Sequence, residues 1–374
     1  MFIGLRDIFF AKRRFALIAA VVALLTLLLV MLTGLTGGLG KQNTAALESL
    51  NVDRVVFGSL GSNDPEISFT SSSVNAVEEQ QWAEQNGISQ VTPLGISQTT
   101  AEGPQASAAV AVFGIPAESS LLKQSVGEAT SGSASLADNR VVIAESVAQD
   151  TGLAAGDSLT LSGNTFEVGG IVDTTYYSHT PVVWASTENW QKIGHIQPAT
   201  DSRSETVGTV LAVSAPDADD ALFNKVADQS RTLAVTTKDS LTGLAAYQSE
   251  RGSLQAMQGF LYGISALVTL SFLTVWTIQR TRDLAVLRAL GGSTGYLLKD
   301  ALIQAAIILL IGAGTGALLG WGLGALAQNA LPFQLDVLTV VAPALGIWVI
   351  GLIGALIATS RITKIDPMIA LGGN

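Results

Sequence analysis

Histidine and cysteine set the first limits on the chemistry open to this chain. Its 374 residues contain no cysteine and two histidines, His179 and His195. Disulfides, thiolate catalysis and cysteine metal sites are therefore excluded, and two imidazoles are too few for a histidine-built metal centre. His179 follows Tyr176 and Tyr177 and precedes Pro181. Those groups could ligate a metal or haem, yet a loop beside a strand offers the same set by chance. His195, in KIGHIQP, has less around it. Gly40-Lys41 has the ending of a phosphate-binding loop, which needs Gly five residues before Gly40 and Ser or Thr after the Lys. Leu35 and Gln42 stand there instead. Leu161-Ser162-Gly163 contains part of an ATPase signature but in a strand-turn setting. No nucleophile, base and orienting group can be assembled. The expectation is no catalytic residue, no intrinsic cofactor or metal, and no ATP site.

The elements that carry these residues are set by the membrane. The chain is 48% hydrophobic and 13% charged, whereas soluble domains carry about 25% charged residues. Four uncharged apolar runs, Phe15–Leu39, Met257–Gln279, Ala301–Ala327 and Leu338–Thr359, each exceed the roughly 20 residues that cross a bilayer core. The first is too long for a signal peptide, lacks a small-residue cleavage site, and reads as an anchor. Segments 1–14, 280–300 and 360–374 hold ten Lys+Arg against four acids, a net of +6, while the rest carries −16. Positive flanks remain in the cytoplasm. This places both termini and the 280–300 loop inside, and residues 40–256 outside, with a short outer loop at 328–337. The expected fold is an α-helical membrane protein of four spans with an inserted extracellular mixed α/β domain, located in the cell (cytoplasmic) membrane. The acidic outer surface argues against nucleic-acid partners.

Within the outer domain, Val52–Phe57 and Ala108–Phe113 are β-branched apolar runs that predict strands. VNAVEEQQWAEQ, Val74–Gln85, has helical spacing, and its glutamates read as a solvated face. Gly58–Ser73 predicts a loop, and Ser125–Asn139 a flexible stretch between two subregions. Val141–Asp173 reads as a strand, a short helix, a turn at Ala155–Asp157 and a hairpin turning at Gly163-Asn164. Pro181–Ala185 and Thr187–Ile193 add a strand and a short helix. Thr206–Ser214, a helix over Asp217–Gln229 and the strand Leu233–Thr237 suggest a βαβ-like return. Lys41–Leu50 continues the first span, and Lys238–Ala256 leads without a breaker into the second, which predicts two helical stalks.

Two features remain inside the membrane and at its inner face. Gly312, Gly316, Gly320 and Gly324 form a four-residue ladder on the third span, widened by Gly314 and Gly322. Such a stripe allows close helix approach where apolarity alone drives no association; its packing partner is left open. The inner loop QRTRDLAVLRALGGSTGYLLKD places Leu284, Leu287 and Leu290 at helical spacing, with Arg282 and Arg288 elsewhere on the helix. Gly291-Gly292 stops this helix, and Ser293 can cap the next. A short amphipathic helix held between spans suits docking of a cytoplasmic partner.

This loop resembles the coupling segment of MacB/FtsX-type ABC permeases, whose pattern runs Arg-x-x-Glu-Ile-x-x-Leu-Arg-Ala-Leu-Gly-Ala-Ser/Thr. Asp283-Leu284 stands for Glu-Ile, followed by Leu287-Arg288-Ala289-Leu290-Gly291-Gly292-Ser293. The ending from Arg361 to Leu371 resembles the family's closing Asp-Pro-x-x-Ala-Leu, and Val141–Asp173 its outer core domain. Leu5–Gly40 is most similar to the DevC-like group, which includes a haem-exporter permease. The resemblance implies a homodimer working with two copies of a separate cytoplasmic ABC ATPase that binds ATP and Mg. It assigns Arg282, Asp283, Leu284, Leu287, Arg288 and Leu290 to ATPase coupling. It further implies ATP-driven mechanotransmission that expels substrate from the membrane or its outer face.

Haem is the substrate this resemblance favours. It requires an apolar slot, an axial Tyr, Met or His, and cations for the propionates. Met31 lies in the outer half of the first span; Met257, Phe260 and Tyr262 open the second, with Tyr247, Glu250 and Arg251 just above. These seven are the substrate-binding candidates, although such residues also face lipid, pack, or anchor at interfaces. Export of another amphiphile (a lipid, glycolipid, peptide or antibiotic) and FtsX-like regulation of an extracellular enzyme remain alternatives.

Overall fold

A run of Leu, Ala and Val without proline makes helix α1 (Lys12–Glu48), which continues past the apolar span into a polar end. The computed structural model describes residues 12–61, 64–137, 139–197, 205–279, 293–328 and 330–360. Two compact units emerge, residues 40–250 and the remainder.

In chain order the outer unit contains β1 (Arg54–Phe57), β2 (Val74–Asn75), α2 (Ala76–Ala83), β3 (Gln90–Glu102), β4 (Ser107–Ile115), α3 (Leu121–Val126), β5 (Ser131–Gly132) and β6 (Arg140–Ala144). There follow α4 (Glu145–Thr151), β7 (Ser158–Leu161), β8 (Asn164–Val172), β9 (Tyr176–Tyr177), β10 (Thr180–Ser186) and α5 (Thr187–Ile193). The last elements are β11 (Thr206–Gly208), β12 (Val210–Ser214), α6 (Asp220–Ser230), β13 (Leu233–Val235) and α7 (Thr237–Ser240). An 11-stranded sheet runs β13-β1-β12-β3-β4-β10-β6-β8-β5, with β7 and β9 paired beside it. Strand β3 joins its two halves: Gln90–Leu94 pairs with β12, and Gly95–Glu102 with β4. The β12–α6–β13 return is a crossover in which both strands run antiparallel to β1 between them.

Local chemistry explains several boundaries. Helix α2 starts in a capping box: Asn75 Oδ1 accepts from the N–H groups of Val77 and Glu78, and the Glu78 carboxylate accepts from Asn75 N–H at 2.9 Å. Glu78 is therefore a helix-start residue rather than one more member of a solvated face, and burial raises its carboxyl above the usual range. The β7–β8 hairpin turns at Ser162-Gly163, one residue earlier than the sequence suggested, because Leu161 pairs with Asn164. Both turn residues have positive φ, 49° and 78°, as a two-residue type I′ loop requires.

Glycines opposite each other make room for one large side chain. Gly95 of β3 pairs with Gly114 of β4. A Cβ built on Gly95 would fall 2.2 Å from the Trp190 ring, and one on Gly114 2.3 Å from Trp190 Cβ. Only a bare backbone on both strands lets the indole lie flat there. Its Nε1–H donates to Ser97 Oγ at 2.8 Å. An aromatic core of Phe57, Phe69, Phe113, Tyr177 and Trp184 fills one face of the sheet. Ala46 and Leu47 at the end of α1 enter it, with Leu50 just beyond, all fully buried.

The second connection differs from the expected unbroken stalk. Residues 237–244 form α7, a short 3-10 turn (Leu241–Gly243) and an extended Leu244, before α8 (Ala245–Gln279) begins. Leu241 and Leu244 belong to the buried core, and Gly243 lies against the Ile67 backbone, where a Cβ would come within 3.1 Å. Burial of these side chains outweighs the helix propensity of the segment.

In the membrane unit, α8 is followed by α9 (Thr294–Ala327) and α10 (Val337–Ser360), and Ser293 caps α9 by accepting from Tyr296 N–H. With α1 these supply, among the described residues, four helices long and apolar enough to cross a membrane: Phe15–Glu48, Ala245–Val275, Leu298–Ala327 and Val337–Thr359. Helices α1 and α9 run parallel in close contact, and α8 and α10 form a second parallel pair through Tyr262 on Gly346 and Leu270 on Gly354. Trp348 of α10 ties the pairs together by donating Nε1–H to the Ala306 carbonyl at 3.1 Å. Buried Thr26 and Thr359 satisfy their hydroxyls on carbonyls four residues back, Val22 and Ala355.

Candidate functional site

The polar cluster richest in chemistry lies in the outer unit, where three distant segments meet. The β9–β10 turn holds Ser178 and His179 at positive φ, 48° and 65°, an uncommon conformation for residues with a Cβ. It is held there by backbone bonds: Ser178 N–H donates to the Asn43 carbonyl at 3.0 Å, and His179 N–H to the Gln42 carbonyl at 2.9 Å. The turn thus aims the imidazole at Glu250. His179 Nε2 lies 2.8 Å from Glu250 Oε1, and Asn43 Nδ2 donates to Oε2 at 2.8 Å. Imidazole, carboxylate and amide form a knot that ties the β9–β10 turn to Glu250 and Asn43. Among the described residues no three His, Cys, Asp or Glu side chains converge on a metal position. His195 sits exposed at the end of α5.

The seven substrate candidates fall into distinct surroundings. Tyr247 packs on the outer-domain core, and Glu250 is engaged by the knot. Arg251 is exposed at the start of the membrane unit, and Met31 is half-buried on α1. Met257 and Phe260 are 47% and 73% exposed on one face of α8. Tyr262 projects from another face onto Gly346 of α10. The exposed stripe continues through Ile264, Leu267, Val275 and Ile278, so among the described residues α8 presents a long uncovered apolar side. Arg282, Asp283, Leu284, Leu287, Arg288 and Leu290, and the closing motif from Arg361, lie outside the described residues.

The glycine ladder meets α1. A Cβ on Gly316 would stand 2.3 Å from the Ala23 carbonyl oxygen, and one on Gly312 or Gly320 would meet Val22 or Val30 at 2.8 Å. Gly324 instead faces Phe333, and Gly314 and Gly322 face open space. Sequence reasoning missed a second close approach. Gly34 and Gly38, spaced by four on α1, accept the outer loop, with Phe333 over Gly34 and the Pro332 carbonyl against Gly38. The small-xxx-small spacing was the available signal.

Four helices long and apolar enough to cross a membrane, with one large inserted α/β domain, define the class of a polytopic membrane protein. Residues 15–232 match the MacB-like periplasmic core domain, and residues 257–367 the FtsX-like permease C-terminal domain. The chain belongs to the MacB/FtsX family of ABC transporter permeases. It is a multipass cell-membrane protein, and its large domain is the family's extracellular one. It is similar to a protein described as a hemin transport system permease, HrtB, of Staphylococcus epidermidis, 27% identical over 63% of this chain. That match spans 64% of the relative's length, under two thirds. The corresponding protein of Staphylococcus haemolyticus is 25% identical over 98% of both chains. An uncharacterized ABC transporter permease of Mycobacterium bovis is 25% identical over 100% of this chain and 99% of its own.

Proposed function

We propose that this chain is the permease subunit of an ATP-driven exporter and that its cargo is haem, expelled from the membrane by mechanotransmission. In this reading both termini and the 280–292 segment are cytoplasmic, and two copies of the subunit pair with two copies of a separate ATPase that holds ATP and Mg. Arg282, Asp283, Leu284, Leu287, Arg288 and Leu290 take the ATPase stroke. The apolar side of α8 is where two subunits meet. Its exposed positions 257, 260, 264, 267, 271, 275 and 278 follow a three-four spacing, the pattern of a helix seam.

The observation that carries the reading is continuity. Helix α1 is one element from Lys12 to Glu48, and Ala46 and Leu47 near its end are buried in the core of the outer domain. In this reading a displacement of the span is passed along the same helix. For cargo, Met257 supplies a soft axial ligand and Phe260 an apolar wall on the same helix face. The hemin-transport relatives support haem over other amphiphiles. The decisive experiment reconstitutes the permease with its ATPase in lipid and measures ATP hydrolysis and haem release. Haem is expected to stimulate ATPase activity and to leave the membrane only with ATP; stimulation by an unrelated amphiphile and not by haem would reassign the cargo.

A further inference from the structure

Helices α9 and α10 leave a groove of about 550 Å³ between them on the membrane unit. It follows α9 from Gly295 to Ala306 and α10 from Leu356 back to Trp348. Along α9 that is about 16 Å at the helical rise. The hydrocarbon core of a bilayer is roughly 30 Å thick, so the groove is as deep as one leaflet. None of the seven substrate candidates lines it.

The two ends of the groove differ in chemistry. At the deep end, the Trp348 indole N–H is spent on the Ala306 carbonyl at 3.1 Å, so the ring offers the groove an apolar edge rather than a donor. Leu302 and Leu352 continue this apolar wall. At the shallow end stands Lys299, exposed and without an ion pair or hydrogen bond among the described residues. Its neighbour Asp300 does not neutralise it. Asp300 accepts from Gln304 Nε2 at 3.2 Å, and Gln304 is 1% exposed, so the carboxylate turns toward the bundle interior, about 100° around the helix from Lys299. A lysine in this position lays its methylenes on apolar surface and holds its ammonium at head-group level. The segments that precede α9 and follow α10 in the chain, 280–292 and 361–374, together carry five Lys+Arg against two Asp, so their charge adds to that of Lys299.

We propose that this groove is a binding site for an anionic phospholipid, with the head-group phosphate on Lys299 and one acyl chain laid along Leu302, Ala306 and Trp348. An apolar slot one leaflet deep with a cation at its mouth complements that ligand at both ends. Basic pockets between membrane helices select anionic head groups in this way. The leaflet is the one beside the start of α9, which is cytoplasmic in the topology proposed above. The site is independent of the cargo.

The test is quenching of Trp348 fluorescence in the full-length protein in nanodiscs, by phosphatidylglycerol or phosphatidylcholine with acyl chains brominated near their ends. Subtracting the signal of Trp348→Phe isolates this indole. Phosphatidylglycerol is expected to occupy the site about fivefold more readily than phosphatidylcholine, the equivalent of about 1 kcal/mol for one cation. Lys299→Gln is expected to remove that preference. Gly295 faces open space, so Gly295→Leu fills the mouth without touching the described protein, and it should lower quenching by both lipids. Native mass spectrometry of the purified protein needs no tryptophan variant; phosphatidylglycerol should stay bound to the parent and be lost from Lys299→Gln. An equal preference in the parent and Lys299→Gln overturns the proposal. Absence of Trp348 quenching by either lipid means that a second copy or another protein covers the groove, and overturns it as well.

Discussion

His179 Nε2 lies 2.8 Å from Glu250 Oε1, a bond that closes the β9–β10 turn onto the residue where the chain leaves the outer domain. Both side chains are about one third exposed, 32% and 38%, so the pair contributes about 1 kcal/mol rather than the larger value of a buried ion pair. Glu250→Ala is expected to lower the melting temperature of the outer domain by about 2–4 °C. His179→Ala in that background should cost little more, because the two side chains act through one contact. Thermal unfolding of the single and double variants in detergent measures this, and full additivity would show that the contact carries no energy.

The glycine ladder separates into tolerant and intolerant positions. Gly316→Leu places its Cβ 2.3 Å from the Ala23 carbonyl oxygen and is expected to destabilise the bundle by about 1–3 kcal/mol or to prevent its assembly. Gly322→Leu enters open space and should leave the melting temperature near that of the parent. Yield and monodispersity of the two purified variants distinguish them.

The haem proposal predicts a split among three candidates. Met257→Ala is expected to shift the visible spectrum of haem bound to the purified protein, since Met257 lies on the exposed face of α8. Tyr262→Phe should leave that spectrum unchanged, since Tyr262 packs on Gly346. A spectrum indifferent to Met31, Met257 and Tyr262 alike would remove all three as axial ligands.

Arg288→Glu tests the coupling assignment. The reversed charge is expected to abolish haem efflux and to weaken co-purification of the ATPase, with the melting temperature of the permease unchanged. Normal pairing and efflux in this variant would move the input elsewhere.

The hairpin at Ser162-Gly163 offers a stabilising change. Asn is the favoured residue at the first position of a type I′ turn, so Ser162→Asn should raise stability by roughly 0.5 kcal/mol, within the range usual for turn optimisation. Gly163→Val, at φ 78°, should lower it. Both effects are read from thermal melts.

These contrasts show where sequence suffices. Apolar runs with no charge reveal spans because lipid admits nothing else. Asn75 and Glu78 reveal a helix start because a capping box is local. Glu250 and His179 stand 71 residues apart, and no local pattern joins them; only the folded β9–β10 turn does. Leu241 and Leu244 looked like stalk because burial against Ile67 and the α1 end cannot be read from a helix-permissive string. The ladder on α9 was visible, while its mates Val22, Thr26 and Val30 are ordinary apolar or β-branched residues in a span full of them.

Those mates are themselves spaced by four, opposite Gly312, Gly316 and Gly320. The two parallel helices are therefore commensurate, like a rack whose teeth sit in evenly cut slots. Shifting α1 by one residue along α9 would take Val22, Thr26 and Val30 out of their slots together. The next matching register lies four residues on, about 6 Å away at the helical rise. Small thermal slippage along this seam is suppressed, and whatever travel α1 makes, α9 makes with it.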